Sequence, residues 1–294
     1  MLLFVATPIR MVGYGTQRYV NTYGVPFAEY LYTNALGSAP VPPVFSPLDI
    51  SNCVLWLDAN DSSTIDVNND LSGANVNRVM KWFDKANPDT QNHYDHDGAP
   101  TNSGLYNTHT INGLNVVYFE PNTDMKHHDG GLAFNFQDRT FFAVIKPLTD
   151  LSGLDLFFNI YNGFDDTGAM NTGIELSGGV YQYSMCANGI ECGITYDLSF
   201  NPVNNRMLLM FAQSSTDLSG NVGSFDTISQ PLTNNLLAGN YNETQCQYYL
   251  NNRNRASAMD IAEIIMYQGV LSPADQIKVS DYLADKWNLS GPSL

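Results

Sequence analysis

Short apolar segments separated by turn residues constrain the fold of this chain more than any other feature. From Leu48 onward the strand-like runs are NCVLWLD, NVVYFE, RTFFAVIKP, LDLFFNIYN, VYQYSMC, RMLLMFAQ and AEIIMYQ. They are rich in β-branched and aromatic residues, which favour strands, and Asn, Asp, Gly or Pro bounds them. Many short strands bury their apolar surface by packing sheet against sheet. The pattern therefore predicts an all-β sandwich.

One segment near the end of the chain has a helical pattern instead. Ser272 suits the N-cap, Pro273 suits the first helical position, and Asp275 stands where a capping-box acid would stand. The apolar residues that share one helical face are Val279, Tyr282, Leu283 and Trp287. Gly291 and Pro292 are expected to end this helix. The sandwich is thus predicted to be closed by one amphipathic C-terminal helix.

The first 38 residues form an extended aromatic arm that has no clear periodicity. Residues 39–47 hold four prolines in nine positions and predict a stiff linker, so that residues 48–294 form the globular domain. The residues expected to anchor the arm are Leu2, Leu3, Phe4, Ile9, Tyr14 and Tyr19. Leaving them in water costs on the order of 25 cal/mol per Å² of apolar surface. We therefore expect the arm to pack against another polypeptide, or else to fold back onto its own sandwich.

Composition excludes two classes of partner. The net charge is −16, and no cluster of Lys and Arg relieves it, so nucleic acid is not an expected partner. No segment approaches the ~20 apolar residues of a membrane span. The amino terminus lacks the basic region and cleavage site of a signal peptide.

Cys186 and Cys192 bracket a short loop, and they suit a disulfide and two free thiols equally well.

Four segments carry a family resemblance: LWLDANDSSTI, VMKWFDKANPD, INGLNVVYFE and MDIAEIIMYQGVLSPADQIKVSDYLADKWNL. Over residues 50–289 they resemble the concanavalin A-like (laminin G-like) jelly-roll domain of lectins and glucanases. The resemblance implies two curved antiparallel sheets packed face to face, with Trp56 in the core. Such domains occur in secreted lectin-like proteins, in phage structural proteins and in virion proteins of large DNA viruses.

A cluster of oxygen donors follows the first strand of this domain: Asp58, Asn60, Asp61 and Asp66. Some relatives bind Ca²⁺ through loop carboxylates and amides, and oxygen is the ligand that Ca²⁺ prefers. The alternative is a structural turn that these side chains cap. A transition-metal site is a further alternative, and its ligands would be His93, His96, His127, His128 and Asp129. Beyond this calcium ion, no cofactor is expected.

Two loops have the residue types of a sugar-binding site: Tyr161, Asn162, Asp165 and Asp166 in one, and Tyr241 and Asn242 in the other. Glycoside hydrolysis on this fold needs two facing carboxylates, which glucanases carry on one strand. No such run occurs. Asp260 and Glu263 are three residues apart, so a regular strand would place them on opposite faces.

These observations favour a non-enzymatic structural protein of a virus particle, a minor capsid or capsid-surface component located in the virion. Its partners would be other capsid proteins, bound through the arm. The second interpretation is an extracellular carbohydrate-binding adhesin, with glycans as partners. The third interpretation is a glycan hydrolase. Burial of the arm between chains would favour the first interpretation, and a carboxylate pair in a cleft would favour the third.

Overall fold

A computed structural model of the 294-residue chain divides into two compact units, Met1–Phe45 and Ser46–Leu294. The boundary lies inside the predicted linker, 39–47. The residues that the structure describes are 8–9, 18–19, 45–68, 76–88, 93–96, 100–127, 138–149, 154–162, 168–187, 194–198, 201–213, 218–224, 227–234, 246–251 and 257–289.

The described part of the amino-terminal unit is a two-stranded antiparallel sheet. It consists of β1 (Pro8–Ile9) and β2 (Arg18–Tyr19), in which Ile9 pairs with Arg18. Two of the predicted anchoring residues, Ile9 and Tyr19, have their backbone in this pair. The others, Leu2, Leu3, Phe4 and Tyr14, lie outside the described residues. The anchoring role of this segment stays a prediction.

The larger sheet of the second unit has nine antiparallel strands. In spatial order they are β15 (Ile194–Asp197), β14 (Val180–Ala187), β13 (Gly168–Ser177), β12 (Leu154–Asn162), β19 (Cys246–Leu250), β10 (Met125–His127), β6 (His93–His96), β5 (Val79–Phe83) and β4 (Ile65–Val67).

The smaller sheet has seven antiparallel strands. Six lie in the order β18 (Thr227–Asn234), β17 (Leu218–Ser224), β16 (Met207–Gln213), β11 (Arg139–Pro147), β20 (Met259–Gln268) and β3 (Cys53–Asp58). The seventh, β9 (Val117–Phe119), pairs with β20 beyond the end of β3. A separate hairpin joins β7 (Thr110–Ile111) to β8 (Leu114–Asn115). Asn112 and Gly113 both have positive φ at its tip, as a two-residue hairpin loop requires.

The core lies between the two sheets. Phe141 of β11 packs against Phe158 of β12, with 5.0 Å between the ring centroids. One buried cluster joins residues of both sheets, among them Leu57, Trp82 and Ile264. The predicted all-β jelly-roll sandwich is therefore confirmed, and the strand-like runs of the sequence form β3, β9, β11, β12, β14, β16 and β20.

The predicted helix is confirmed as α1 (Pro273–Trp287), the one α-helix in the part of the chain that the structure describes. The Ser272 hydroxyl oxygen accepts a hydrogen bond from the Asp275 N–H at 3.2 Å. The helix ends earlier than the sequence suggested, because Asn288 adopts a left-handed conformation with φ 50°. Among the described residues, no helix is long and apolar enough to cross a membrane.

Trp56 is buried, as the resemblance implies. Leu55 and Leu57 belong to the cluster between the sheets, so Trp56 is buried on the opposite side of β3. One expectation about side-chain direction was wrong, and it concerns β20, whose pairing with β11 shifts register between Val144 and Ile145. This bulge places two residues opposite one.

Because of the bulge, Ile261 and Ile264 both belong to the core cluster although they are three residues apart. Asp260 and Glu263 therefore lie on the same, outward side of the strand, not on opposite faces. Sequence spacing cannot reveal a bulge, since its effect is to change the two-residue period of the strand.

Candidate functional site

The outward face of the seven-stranded sheet is sealed by α1. The Glu263 carboxylate, which is fully buried, accepts four hydrogen bonds at this interface. The donors are Trp56 Nε1 at 2.7 Å, Tyr282 Oη at 2.9 Å, Trp287 Nε1 at 2.7 Å and Lys286 Nζ at 2.8 Å. Burial raises the pKa of Glu263, and the Lys286 ammonium opposes that rise. Four donors leave this carboxylate no room for a ligand, so the face is architectural.

Two of the residues predicted to bind Ca²⁺, Asp58 and Asp61, lie at the edge of this face. Asp58 Oδ1 is 2.7 Å from Lys286 Nζ, and Asp58 Oδ2 is 3.1 Å from Lys85 Nζ. Asp61 Oδ2 is 2.7 Å from the same Lys85 Nζ, while Asp61 Oδ1 caps the short helix Ser62–Thr64. Two ammonium groups thus stand where a metal ion would have to bind.

The other two predicted ligands do not join Asp58 and Asp61. Asn60 Oδ1 accepts from the Asn115 N–H at 3.4 Å, and Asp66 is exposed on β4 of the other sheet. This donor set therefore does not fit a calcium ion as it is arranged, and calcium binding stays a prediction. No group of three His, Cys, Asp or Glu side chains within the described ranges is placed to hold a metal ion.

The histidines predicted as ligands of a transition metal do not share one face of the sheet. His93 and His96 are three residues apart on β6, so their side chains leave opposite faces of the strand. His96 pairs with the core residue Met125, whereas His93 pairs with Phe83 on the outward face. His127 is buried against Tyr94, with ring centroids 5.3 Å apart. His128 and Asp129 lie outside the described residues.

The outward face of the nine-stranded sheet carries a polar cross-strand row. Successive Cα partners across six strands are Asp66, Lys81, Asp95, Lys126, Tyr249 and Asn159. Directly paired residues share one face of a sheet. The neighbouring positions Trp82 and Tyr94 point into the core, so this row points away from it.

Exposure falls along this row from one end to the other. Asp66 is exposed, the next four residues are half-buried, and Asn159 is fully buried. The ammonium of Lys126 lies 5.8 Å from the centroid of the Tyr249 ring. Neither Oδ1 nor Nδ2 of Asn159 has a hydrogen-bond partner among the described residues. A half-exposed aromatic ring thus adjoins a charged pair on one side and an unsatisfied amide on the other.

Most of the residues predicted to bind glycan lie outside the described ranges: Asp165, Asp166, Tyr241 and Asn242. The backbone of Tyr161 and Asn162 forms the end of β12, the strand that carries Asn159. Glycan binding by these residues stays a prediction, and nothing in the sequence indicated the cross-strand row. The row joins residues that are far apart in the chain, and only strand pairing brings them together. Cys186 and Cys192 are likewise not described at the level of side chains.

No family model and no curated protein matches the sequence. Solved structures resemble its fold. A GH54 α-L-arabinofuranosidase aligns with a TM-score of 0.49 and 13% identity, over 79% of this chain and 59% of that one. The Ca²⁺/Man3GlcNAc-bound lumenal domain of VIP36 aligns with a TM-score of 0.40 and 10% identity, over 62% and 87%. The sialidase of Trypanosoma rangeli aligns with a TM-score of 0.46 and 9% identity, over 82% and 34%.

These likenesses extend to the fold alone, a β-sandwich of the lectin and glycosidase type. The chain spans about three fifths of the arabinofuranosidases, 59% to 62% of their length. The prediction of a virion structural protein was wrong: the solved structures that resemble the fold are arabinofuranosidases, the lumenal domain of VIP36 and a sialidase. The predicted capsid partners have no support either, and the location of the protein stays a prediction.

Proposed function

We propose that this protein binds glycans without hydrolysing them, and that the sugar lies on the cross-strand row of the nine-stranded sheet. The observation that carries the proposal is the half-exposed Tyr249 ring between Lys126 and Asn159. Sugar rings have apolar C–H faces and polar edges. An aromatic platform flanked by amide and charged groups complements both, as sites for small ligands commonly do.

The unsatisfied amide of Asn159 supports this position. A buried amide without partners costs about 1–3 kcal/mol, so such groups call for a specific explanation. Asn159 follows Tyr249 along the row, where the face changes from half-buried to fully buried. A buried water that bridges the amide to a sugar hydroxyl at Tyr249 would give the amide a hydrogen-bond partner.

The carboxylates of the row support binding more than hydrolysis. Asp66 and Asp95 are separated by one intervening strand, so their Cα atoms are about 10 Å apart at the usual strand spacing. Lys81, the Cα partner of both, stands between them. A glycosidase needs room for the sugar, and in inverting enzymes for a water, between its two carboxyl groups. Because Lys81 is paired with both acids in the sheet, its side chain takes up part of that space, and the pair is poorly arranged for hydrolysis.

The test is a glycan array that includes neutral mannose-, galactose- and arabinose-containing oligosaccharides. Wild-type protein should bind a defined subset. Tyr249→Ala should weaken that binding by about tenfold, the effect of losing one stacking platform of about 1–2 kcal/mol. Tyr249→Phe keeps the ring and should retain most of the binding. Circular dichroism and thermal unfolding would establish that each variant is folded.

Two outcomes would remove this proposal. The first is a folded wild-type protein that binds no glycan on the array. The second is equal binding by wild type and Tyr249→Ala, which would place the sugar elsewhere. Release of reducing sugar from a bound oligosaccharide would refute the non-catalytic part alone.

A further inference from the structure

A concave site lies beside the carboxyl end of α1, away from the cross-strand row. It is a cavity of about 340 Å³, lined by Thr110, Ile111, Asn112, Lys146, Asn204, Asn205 and Arg206. The β7–β8 hairpin, the end of β11 and the segment that precedes β16 form its walls. Two of its lining residues are cationic and none is acidic, although the chain carries 29 acidic residues against 13 Lys and Arg.

Contacts with the end of α1 hold two of the donors in place. Arg206 Nη1 donates to the Trp287 carbonyl oxygen at 3.3 Å, and Asn112 Nδ2 donates to the Lys286 carbonyl oxygen at 3.0 Å. These bonds also cap the helix carbonyls, which would otherwise present negative charge to the cavity. The guanidinium and amide therefore need little reordering when a ligand enters, and preorganisation of this kind favours binding.

Lys146 brings the second positive charge. Its ammonium interacts electrostatically with the Asp260 carboxylate, and the residue is half-buried. Its cross-strand partner is Asp260, whose carboxylate is 2.7 Å from His109 Nδ1 and whose side chain is 2% exposed. The acid nearest to Lys146 along the sheet is thus engaged by the imidazole, which in turn stacks on Tyr118 at 4.1 Å.

We propose that this cavity is a binding site for a small oxyanion, namely the sulfate, phosphate or carboxylate group of a ligand. Two cations with fixed amide donors suit a group with several acceptor oxygens. In a chain of net charge −16, a concave site lined by cations and neutral amides is the place where an anion would be attracted and not repelled. The site is separate from the cross-strand row, so the inference stands or falls without the glycan proposal.

The experiment is an NMR or calorimetric titration of the full chain with sodium sulfate, sodium phosphate and sodium acetate, at constant ionic strength set by sodium chloride. We expect saturable binding of at least one oxyanion. Lys146→Gln should weaken it by at least about tenfold, since a hydrogen bond to a charged group contributes on that order. Tighter binding of sulfate or phosphate would indicate a tetrahedral oxyanion as the ligand group, and tighter binding of acetate would indicate a carboxylate.

Two control variants lie outside the cavity, and a second variant lies within it. Lys278→Gln removes a lysine from the exposed side of α1 and should leave anion binding unchanged. Asn204→Gly is the second cavity variant in case Lys146→Gln does not fold; it removes an exposed amide, suits the φ of 62° at this position, and should weaken binding several-fold. Tyr249→Ala should have no effect. The proposal is wrong if no anion binds saturably, or if the folded cavity variants bind as tightly as wild type.

Discussion

The outward faces of the two sheets differ in how far the hydrogen bonds of their polar groups are satisfied. On the seven-stranded sheet, α1 covers Glu263, and four donors satisfy its carboxylate. On the nine-stranded sheet, charged and aromatic residues stand half-exposed in a row, and Asn159 has no partner among the described residues. A buried charge with all its hydrogen bonds made is a feature of architecture. A row whose polar groups are not all used is a surface on which a ligand can still gain contacts.

The largest expected effect comes from breaking the sealed face. Glu263→Gln removes the buried charge that faces Lys286, and its amide N–H₂ group leaves the indole N–H of either Trp56 or Trp287 without an acceptor. Breaking a buried ion pair costs about 3–5 kcal/mol, so the free energy of unfolding should fall by that amount in urea denaturation. Lys278→Gln on the exposed side of α1 is the control and should change stability by less than ~1 kcal/mol. A Glu263→Gln variant as stable as wild type would mean that this network does not hold the helix.

The next largest effect is on the pH dependence of stability, and it comes from the carboxyl of Asp84, which is buried beside β3. Asp84 Oδ1 accepts from the N–H groups of Trp56 and Ala86, each at 2.8 Å. Burial raises the pKa of Asp84 from 3.8 to about 6, although the backbone N–H donors lower it. The folded state therefore binds this proton more tightly than the unfolded state. Its contribution is fully present below about pH 4 and is lost as pH rises through about 6.

The measurement is urea unfolding of wild type and Asp84→Asn between pH 4 and pH 7. The variant keeps the Oδ1 acceptor and cannot ionise. As pH rises from 4 to 7, the free energy of unfolding of the variant should increase relative to that of wild type by up to about 3 kcal/mol, which corresponds to the size of the pKa shift. Parallel pH profiles of the two proteins would show that Asp84 is not perturbed in this way.

On the outward face of the nine-stranded sheet, removal of a buried polar group should raise the free energy of unfolding, whereas Glu263→Gln should lower it. Asn159→Leu replaces an unsatisfied buried amide by an apolar side chain that has the same branching and is somewhat larger. We expect it to raise the free energy of unfolding by about 1–2 kcal/mol, since replacement of an unpaired polar group removes its desolvation cost. Glycan binding should weaken at the same time. A destabilised Asn159→Leu protein would indicate that the amide is satisfied and that the comparison of the two faces is wrong.

The smallest expected effect is at Lys126. Its ammonium is held over the half-exposed Tyr249 ring at 5.8 Å, an interaction that contributes about 0.5–1 kcal/mol at such a site. Lys126→Ala should therefore weaken glycan binding two- to fivefold, as titrated with the oligosaccharide that gives the strongest array signal. Lys278→Ala should not weaken it. A loss larger than that of Tyr249→Ala would make charge, and not stacking, the main source of binding.

The sequence predicted the elements of the sandwich well because each is encoded locally. The run RTFFAVIKP is β11 from end to end, and Ser272 caps α1 as its side chain and position suggest. The metal loop shows where local reasoning stops. Asp58 and Asp61 do converge, but on Lys85 and Lys286, which arrive from a different strand end and from the helix.

The cross-strand row could not be predicted for a related reason. Asp95, Lys126 and Tyr249 become neighbours only through the strand order β6, β10 and β19, and nothing in the sequence fixes that order. The bulge that turns Asp260 and Glu263 to the same side of β20 is equally hidden. Side chains are predictable where one strand or one helix determines their setting. They are not predictable where the pairing of distant strands does.

Amide hydrogen exchange with and without the oligosaccharide that gives the strongest array signal tests the central claim most directly, because it reports which outward face holds the ligand. The account predicts added protection in β6, β10, β12 and β19, around Tyr249 and Asn159, with exchange in α1 unchanged. Added protection confined to α1 and the adjoining strands of the seven-stranded sheet, with no change around Tyr249, would contradict it.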